Sequence, residues 1–353
     1  MLDEPAANET DVAPSSRPKS RGRRTAVMED VASLAGVSPM TVSRVINDRG
    51  GVRAETRGRV LAAMRELDYR PNIAARALVT GRARTLGVVS FDTTLYGPAS
   101  TLDGIDLAAR GAGYFVNVAS MRSLDADAMR ESVERLREQG VDGIVLIAPQ
   151  TWTVDALKTL AVDLPIVAVE GGTGAGAPVV AVDQYVGAAR VTQHLLSLGH
   201  ETVWHVAGPQ DWLEARSRLH AWQETLLDAD RDVPEQLVGD WSPRSGYEHG
   251  RALAQRKDVT AVFVGNDQMA LGVLRAMSEA GVHVPGDISV AGFDDVPEAA
   301  YFSPPLTTVR QDFAEVGRHS LRLLLRQLEA RDRPVDHVVI EPDLILRDST
   351  APP

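Results

Sequence analysis

The chain has 353 residues, a formal net charge of −11, 44% hydrophobic and 24% charged residues, and no cysteine. At roughly 150 residues per domain this length suggests two or three domains, and the missing cysteine excludes disulfides, zinc–thiolate sites, iron–sulfur clusters and cysteine nucleophiles. No apolar run approaches the ~20 residues of a membrane span, and the start, Met1-Leu2-Asp3-Glu4-Pro5, lacks the apolar core of a secretion signal, so a soluble, cytoplasmic protein is expected.

The charge is unevenly spread. Residues 1–16 hold four acids and no base, residues 17–84 hold fifteen Arg/Lys against six Asp/Glu, and residues 85–353 are left with −16. A compact basic segment joined to a large acidic body points to a polyanionic partner for one part only. By charge alone, a solvated arginine-rich surface would serve as well.

In chain order, residues 1–24 are rich in Pro, Ser, Asp and Arg and read as a disordered tail. Residues 25–70 carry short helical patterns. Residues 71–84 read as a short helix, Ile73–Leu78, and a linker. From 85 to 347, short β-branched runs alternate with amphipathic stretches. The runs are Leu86–Phe91, Tyr114–Ala119, Gly143–Ile147, Ile166–Val169, Val203–Ala207, Ala261–Val264 and Ile288–Ala291. Helical stretches include Ala126–Gln139, Gln184–Ser197, Ser217–Ala229 and Asp267–Ala280. Buried strands separated by helices predict an α/β fold with parallel sheets covered on both faces. The length of this region favours two α/β lobes over one sheet. Residues 348–353 read as a tail.

Within the basic segment, Val31, Leu34 and Ala35 share one face of a first helix. Gly36 stands where the chain must turn, and Val37 plugs the gap between helices. Ser38 is suited to cap a second helix and Pro39 to begin it, with Val42, Val45 and Ile46 facing inward. That leaves small polar groups and one arginine outward, as a DNA-reading helix requires. An ordinary helical hairpin is the bland alternative, disfavoured by the agreement of turn, cap and charge.

Asp30-Val31-Ala32, Ala35-Gly36-Val37-Ser38, Thr41-Val42-Ser43-Arg44-Val45-Ile46-Asn47 and Tyr69-Arg70-Pro71-Asn72 resemble the LacI/GalR family of bacterial transcriptional repressors. The likeness runs unbroken over residues 26–78 and on through the core to about Arg347. It implies a helix-turn-helix headpiece followed by a two-lobed core like that of periplasmic binding proteins. It implies that Pro39, Met40 and Arg44 read bases in the major groove, Arg44 by a bidentate bond to guanine. Ser38, Thr41, Ser43, Asn47 and Thr56 suit phosphate oxygens. By the same resemblance, Ala75 and Leu78 belong to a hinge helix that wedges into the minor groove, although a core-facing leucine is the ordinary reading of Leu78.

In α/β sheets ligands gather beyond the carboxyl ends of strands, which brings forward Phe91, Asp92, Asn266 and Asp294. Asp267 reads instead as a helix N-cap. Arg218, Trp241 and Gln311 join the set, Arg218 within Glu214-Ala215-Arg216-Ser217-Arg218, which resembles the family's sugar-contacting segment. Trp241 would equally serve as a core residue, and Arg218 as a surface ion-pair partner. Segment 266–272 resembles the lactose-responsive members more than the purine-responsive ones. The implied effector is therefore a sugar or glycoside. Phe91 and Thr151 stand where smaller or more polar groups would fit the family.

Other classes fare worse. G-x-S-x-G, H-E-x-x-H and the P-loop are missing, Gly171–Gly176 leads into another apolar run instead of a helix, and His194, His200 and His205 lack metal-ligand spacing. The expectation is thus a non-enzymatic regulator without cofactor or metal, partnered by palindromic double-stranded DNA, a sugar and a second copy of itself. The C-terminal leucine heptads of tetrameric members are lacking, so a homodimer is expected. A periplasmic-type sugar-binding protein and a corepressor-dependent regulator are the alternatives.

Overall fold

The computed structural model describes residues 26–46, 50–70, 82–121, 123–147, 149–160, 163–171, 176–329 and 335–353. The chain divides into two compact units, residues 1–79 and 80–353.

The first unit holds three helices, α1 (Met28–Ala35), α2 (Pro39–Ile46) and α3 (Ala54–Glu66). The Asp30 carboxylate accepts the Val27 N–H at 2.9 Å, satisfying one donor at the start of α1. Gly36 ends α1 at φ +64°, its N–H returning to the Ala32 and Ser33 carbonyls; a side chain there would be strained. Ser38 Oγ accepts the Thr41 N–H at 3.2 Å, so α2 is capped as its sequence predicts. Val31, Ala32, Ala35, Val42, Val45, Val60 and Ala63 form the buried core, with Val37 and Ile46 packed against it. Leu34 departs from expectation. It is 47% exposed and Ala32 is buried in its stead, because α3 meets the side of α1 that carries Val31, Ala32 and Ala35.

The second unit contains two parallel sheets. In the first lobe the strands run β11-β5-β4-β3-β1-β2, comprising β1 (Thr85–Ser90), β2 (Phe115–Ser120), β3 (Gly143–Ile147), β4 (Ile166–Val169), β5 (Val179–Val182) and β11 (His337–Ile340). Central β1 sets Val88 between Val118 of β2 and Val145 of β3. The inner strands β1, β3, β4 and β5 are buried because helices cover both faces, which explains their runs of β-branched residues, while β2 and β11 at the edges stay partly exposed.

The second lobe orders its strands β7-β6-β8-β9, from β6 (Trp204–Ala207), β7 (Leu237–Val238), β8 (Ala261–Val264) and β9 (Ser289–Ala291). β10 (Thr308–Arg310) and β12 (Asp343–Ile345) pair antiparallel. The chain passes between lobes after β5, after β10 and after β11, so the cleft between them is hinged by three crossings.

Helices Pro243–Leu253 and Asp267–Ala280 meet backbone to backbone at two points: a Cβ on Gly272 would overlap the Pro243 carbonyl, and one on Gly246 the backbone of Met269. Ala83 and Arg84 donate their N–H groups to the Asp142 carboxylate at 2.8 and 2.7 Å, fastening the end of the expected linker to the first lobe.

Residues 348–353 are no free tail. Ser349 is fully buried, donates to the Val290 carbonyl at 2.6 Å and accepts the Thr307 N–H at 2.7 Å. His200 and Ser289 hold the Ala351 carbonyl at 3.0 and 2.9 Å. The polar, proline-ended sequence reads as a tail, but its backbone completes the hydrogen bonding beside β9.

Candidate functional site

On the headpiece, α2 turns Val42 and Val45 into the core and leaves Met40 67% exposed with Arg44 beside it one turn on. Ser38 and Thr41 share a hydrogen bond at 3.0 Å, and Ser43 and Thr56 are partly exposed. The exposed face of α2 therefore carries an apolar tip, hydroxyls and a guanidinium. Such a face suits base edges and phosphate oxygens. Asn47, Ala75 and Leu78 lie outside the described residues.

In the second unit a cavity of about 250 Å³ opens between the lobes. Its wall is built from the carboxyl ends of strands, where side chains leave the sheet without blocking its neighbours. The first lobe supplies Thr94 and Tyr96 after β1, Ile147 and Pro149 after β3, and Glu170 after β4. The second supplies Trp212 and Glu214 after β6, Trp241 after β7, Asn266 after β8 and Asp294 after β9. Gln311 and Phe313 enter from the crossing that follows β10. At Glu170, Trp241 and Asp294 the backbone has φ of +56°, +70° and +110°. Non-glycine residues adopt such angles at a cost that surrounding structure must hold, typically at functional sites.

Arg218, 4% exposed, is the hub. Its Nε donates to Gln184 Oε1 at 2.9 Å, Nη1 to the Gly265 carbonyl at 2.5 Å, and Nη2 lies 3.8 Å from Asp294 Oδ1. Its guanidinium stacks 3.8 Å from the centre of the Phe293 ring. Gln311 closes the chain, donating to Asp294 at 2.7 Å and accepting from Gln184 at 2.8 Å. Burial pushes the Asp294 carboxyl up to about 6, against the pull of Arg218 and the Gln311 bond. Burial likewise pushes Glu170 up to about 7, opposed by the Val182 N–H and Arg218. Glu214 is raised by burial and then by the charge of Glu170. Such a site presents fixed donors and acceptors beside aromatic faces, the equipment for a polar, hydroxylated ligand.

Of the expected cleft residues, Arg218, Trp241, Asn266, Asp294 and Gln311 line this cavity together. Trp241 is also part of the core, 7% exposed and edge-on to Trp212 at 5.8 Å. Phe91 and Asp92 stand apart from the wall: Phe91 packs against the first-lobe core, and Asp92 braces Thr94 through its N–H and hydroxyl. Thr151 is likewise outside, its N–H bonded to the Asp211 carbonyl.

The cap of helix Asp267–Ala280 falls one residue earlier than expected. Asn266, extended at φ −151°, accepts the Met269 N–H. Asp267 is instead buried, taking the Val296 N–H at 2.9 Å and the Thr308 hydroxyl at 2.6 Å.

A match to the periplasmic binding protein-like domain covers residues 192–350, and a match to the bacterial regulatory proteins of the lacI family covers residues 27–72. The lactose operon repressor of Escherichia coli is 33% identical over 92% of this chain and 90% of its own length. The HTH-type transcriptional repressor PurR of Haemophilus influenzae is 31% identical over 92% and 98%. The chain belongs to the LacI family.

As a LacI-family member it is a DNA-binding transcriptional repressor with an α/β, periplasmic-binding-protein-like core. The lac repressor dimer bound to operator and the anti-inducer ONPF superposes with TM-score 0.82 at 32% identity, covering 93% of this chain and all of that one. A transcriptional regulator CelR–cellobiose complex does so with TM-score 0.67 at 32% identity, covering 92% and 99%. Among the described residues no helix of this LacI-family chain is long and apolar enough to cross a membrane.

The residue-level reading of this LacI-family sequence passed over Glu170, Glu214, Tyr96, Trp212 and Phe313. Two of them had a signal: Glu170 directly follows the Ile166–Val169 run, and Glu214 precedes Arg218 by one helical turn.

Proposed function

We propose that this repressor is a cytoplasmic homodimer that holds a near-palindromic operator until a sugar or glycoside binds between its lobes. The chain divides its work: residues 25–70 as headpiece, 71–84 as hinge with Ala75 and Leu78 at the minor groove, and 85–347 as sensor. Pro39, Met40 and Arg44 read bases; Ser38, Thr41, Ser43, Asn47 and Thr56 position the phosphates. Arg218, Trp241, Asn266, Asp294 and Gln311 hold the effector.

The observation that carries the reading is the closed chain Arg218–Asp294–Gln311–Gln184, buried yet bordering the cavity. It sets fixed polar groups, already holding one another, along the wall that a hydroxylated ligand would meet. The cellobiose bound to the similar transcriptional regulator CelR supports the same class of ligand. Release follows if the effector binds the detached state better, with coupling of ~1–3 kcal/mol.

Fluorescence anisotropy with promoter fragments, followed by a panel of mono- and disaccharides, tests this. Binding should weaken steeply with salt, by ~0.9 in log–log slope per phosphate neutralised, and one sugar should lower affinity ~5–150-fold. An operator affinity that no sugar alters, with no sugar raising the melting temperature, would end the sensor assignment.

A further inference from the structure

We propose that the ligand of this cleft carries a basic nitrogen, as an aminated sugar does, seated between the carboxylates of Glu170 and Glu214. The inference rests on the reading of the cleft as an effector site and names the chemistry of what enters it.

The two glutamates line the same cavity from opposite lobes. Asp294 adds a third carboxylate, against Arg218 as the one cation in the wall among the described residues. Arg218 is committed: its nitrogens serve Gln184, the Gly265 carbonyl and Asp294. Glu170 takes the Val182 N–H at 2.8 Å and is steadied by Gln184 and the Arg218 charge, and Glu214 feels that same charge, but neither glutamate forms an ion pair of its own among the described residues. Three carboxylates against one committed guanidinium leave the empty wall rich in acceptors and poor in positive charge. An ammonium seated between the two glutamates makes charge-assisted bonds to both acids. A neutral hydroxyl makes only ordinary hydrogen bonds to them and offsets none of that negative charge.

Two further features bear on the ligand. Trp241, 7% exposed and lining the cavity, has an indole N–H without a hydrogen-bond partner, so the wall is unfinished without a ligand, and that donor calls for a ligand oxygen, such as a sugar hydroxyl, on the same molecule as the amine. The outer groove shares Tyr96, Gln311 and Phe313 with the cavity. It is lined by Asp103, Asp312, Glu341 and Asp343 against Arg310; with Glu341 paired to Arg190 and Asp312 to Arg318, Asp103 and Asp343 keep this neighbouring groove acidic. A metal ion is the poorer occupant: among the described residues no three histidine or acidic groups converge to hold one.

Calorimetric titration of the full-length protein at pH 7 tests the proposal with matched probes. These are glucosamine, galactosamine and the glucosamine dimer, each beside its N-acetylated form and its parent sugar (cellobiose for the dimer). One amine should bind at least about tenfold tighter than both neutral counterparts, and Glu214→Gln should shrink that preference at least about fivefold. Should Glu214→Gln fail to fold, the three-way comparison on the unmodified chain decides alone. A parent sugar binding as tightly as its amine overturns the proposal and leaves the cleft a sugar site, as does a preference that Glu214→Gln leaves intact. If no probe of any kind binds, the cleft reading itself falls and this inference with it.

Discussion

The headpiece and the cleft solve recognition in opposite ways. On α2 the side chains proposed to read DNA stand outward, Met40 67% exposed, on three short helices whose core is mostly valine and alanine. In the cleft Arg218, Asp294, Asn266 and Gln311 are each less than 9% exposed and bonded to one another or to the backbone before any ligand arrives. A surface reader spends ordering entropy on contact and keeps its fold independent of its contacts. A preorganised pocket has already ordered its groups, so its binding residues also hold the lobe together. Stability and recognition should therefore separate in one region and coincide in the other.

The largest effect is expected from Arg218→Ala. It leaves Asp294 buried without its cation, a loss of ~3–5 kcal/mol for a broken buried pair. Urea unfolding followed by tryptophan fluorescence should show it, and an unchanged midpoint would mean that the network does not support the lobe. Arg44→Ala is expected to cost ~1–3 kcal/mol of operator affinity while thermal unfolding shifts by no more than ~0.5 kcal/mol, as at other exposed positions. A matching loss of stability would erase the contrast.

The smallest effect is a pH dependence. Glu170 is raised to about 7 and Asp294 to about 6 in the folded chain. The native state therefore holds these protons more tightly than the unfolded one, and their contribution to stability is lost as pH rises from the ordinary carboxylate range toward 7. His205, pushed down to about 4 by burial, acts in the opposite sense over an overlapping range, so a difference measurement is needed. Glu170→Gln should leave the melting temperature near that of the unmodified chain at pH 5 and raise it progressively toward pH 7.5. A difference constant with pH would show that Glu170 does not titrate in that window.

Much of this contrast is legible in the sequence, for a physical reason. β3, β4 and β8 and the helices Gln184–Ser197 and Asp267–Ala280 stand where runs of β-branched residues or a helical period announce them, because buried strands and amphipathic helices carry opposite periodicities. Helix Tyr96–Gly111 is hidden by Gly97, Pro98 and Gly104. Pro98 sits in the first turn, where its missing N–H costs nothing, and Gly104 is required because a Cβ there would overlap the Phe313 carbonyl. β11, with alternate residues exposed at the sheet edge, and two-residue β7 leave too little pattern to read.

In the cleft, strand-end reasoning finds Asn266 and Asp294 but sends Asp92 to the wall, when that side chain folds back on Thr94. Which side a residue takes after a strand depends on the turn, as the left-handed backbone of Asp92, Glu170 and Asp294 shows. Sequence spacing does not encode that angle.

The contact of Gly246 and Gly272 with opposing backbone has a consequence for how this repressor can diversify. Where backbone meets backbone at Gly246 and Gly272, a tilt of helix Pro243–Leu253 or Asp267–Ala280 would drive one main chain into the other, which holds close the helix starts that follow Trp241 and Asn266. New ligand preferences must then arise by exchanging residues on an unchanging frame, one tip position at a time. Duplicated copies of such a gene would drift in chemistry far sooner than in architecture.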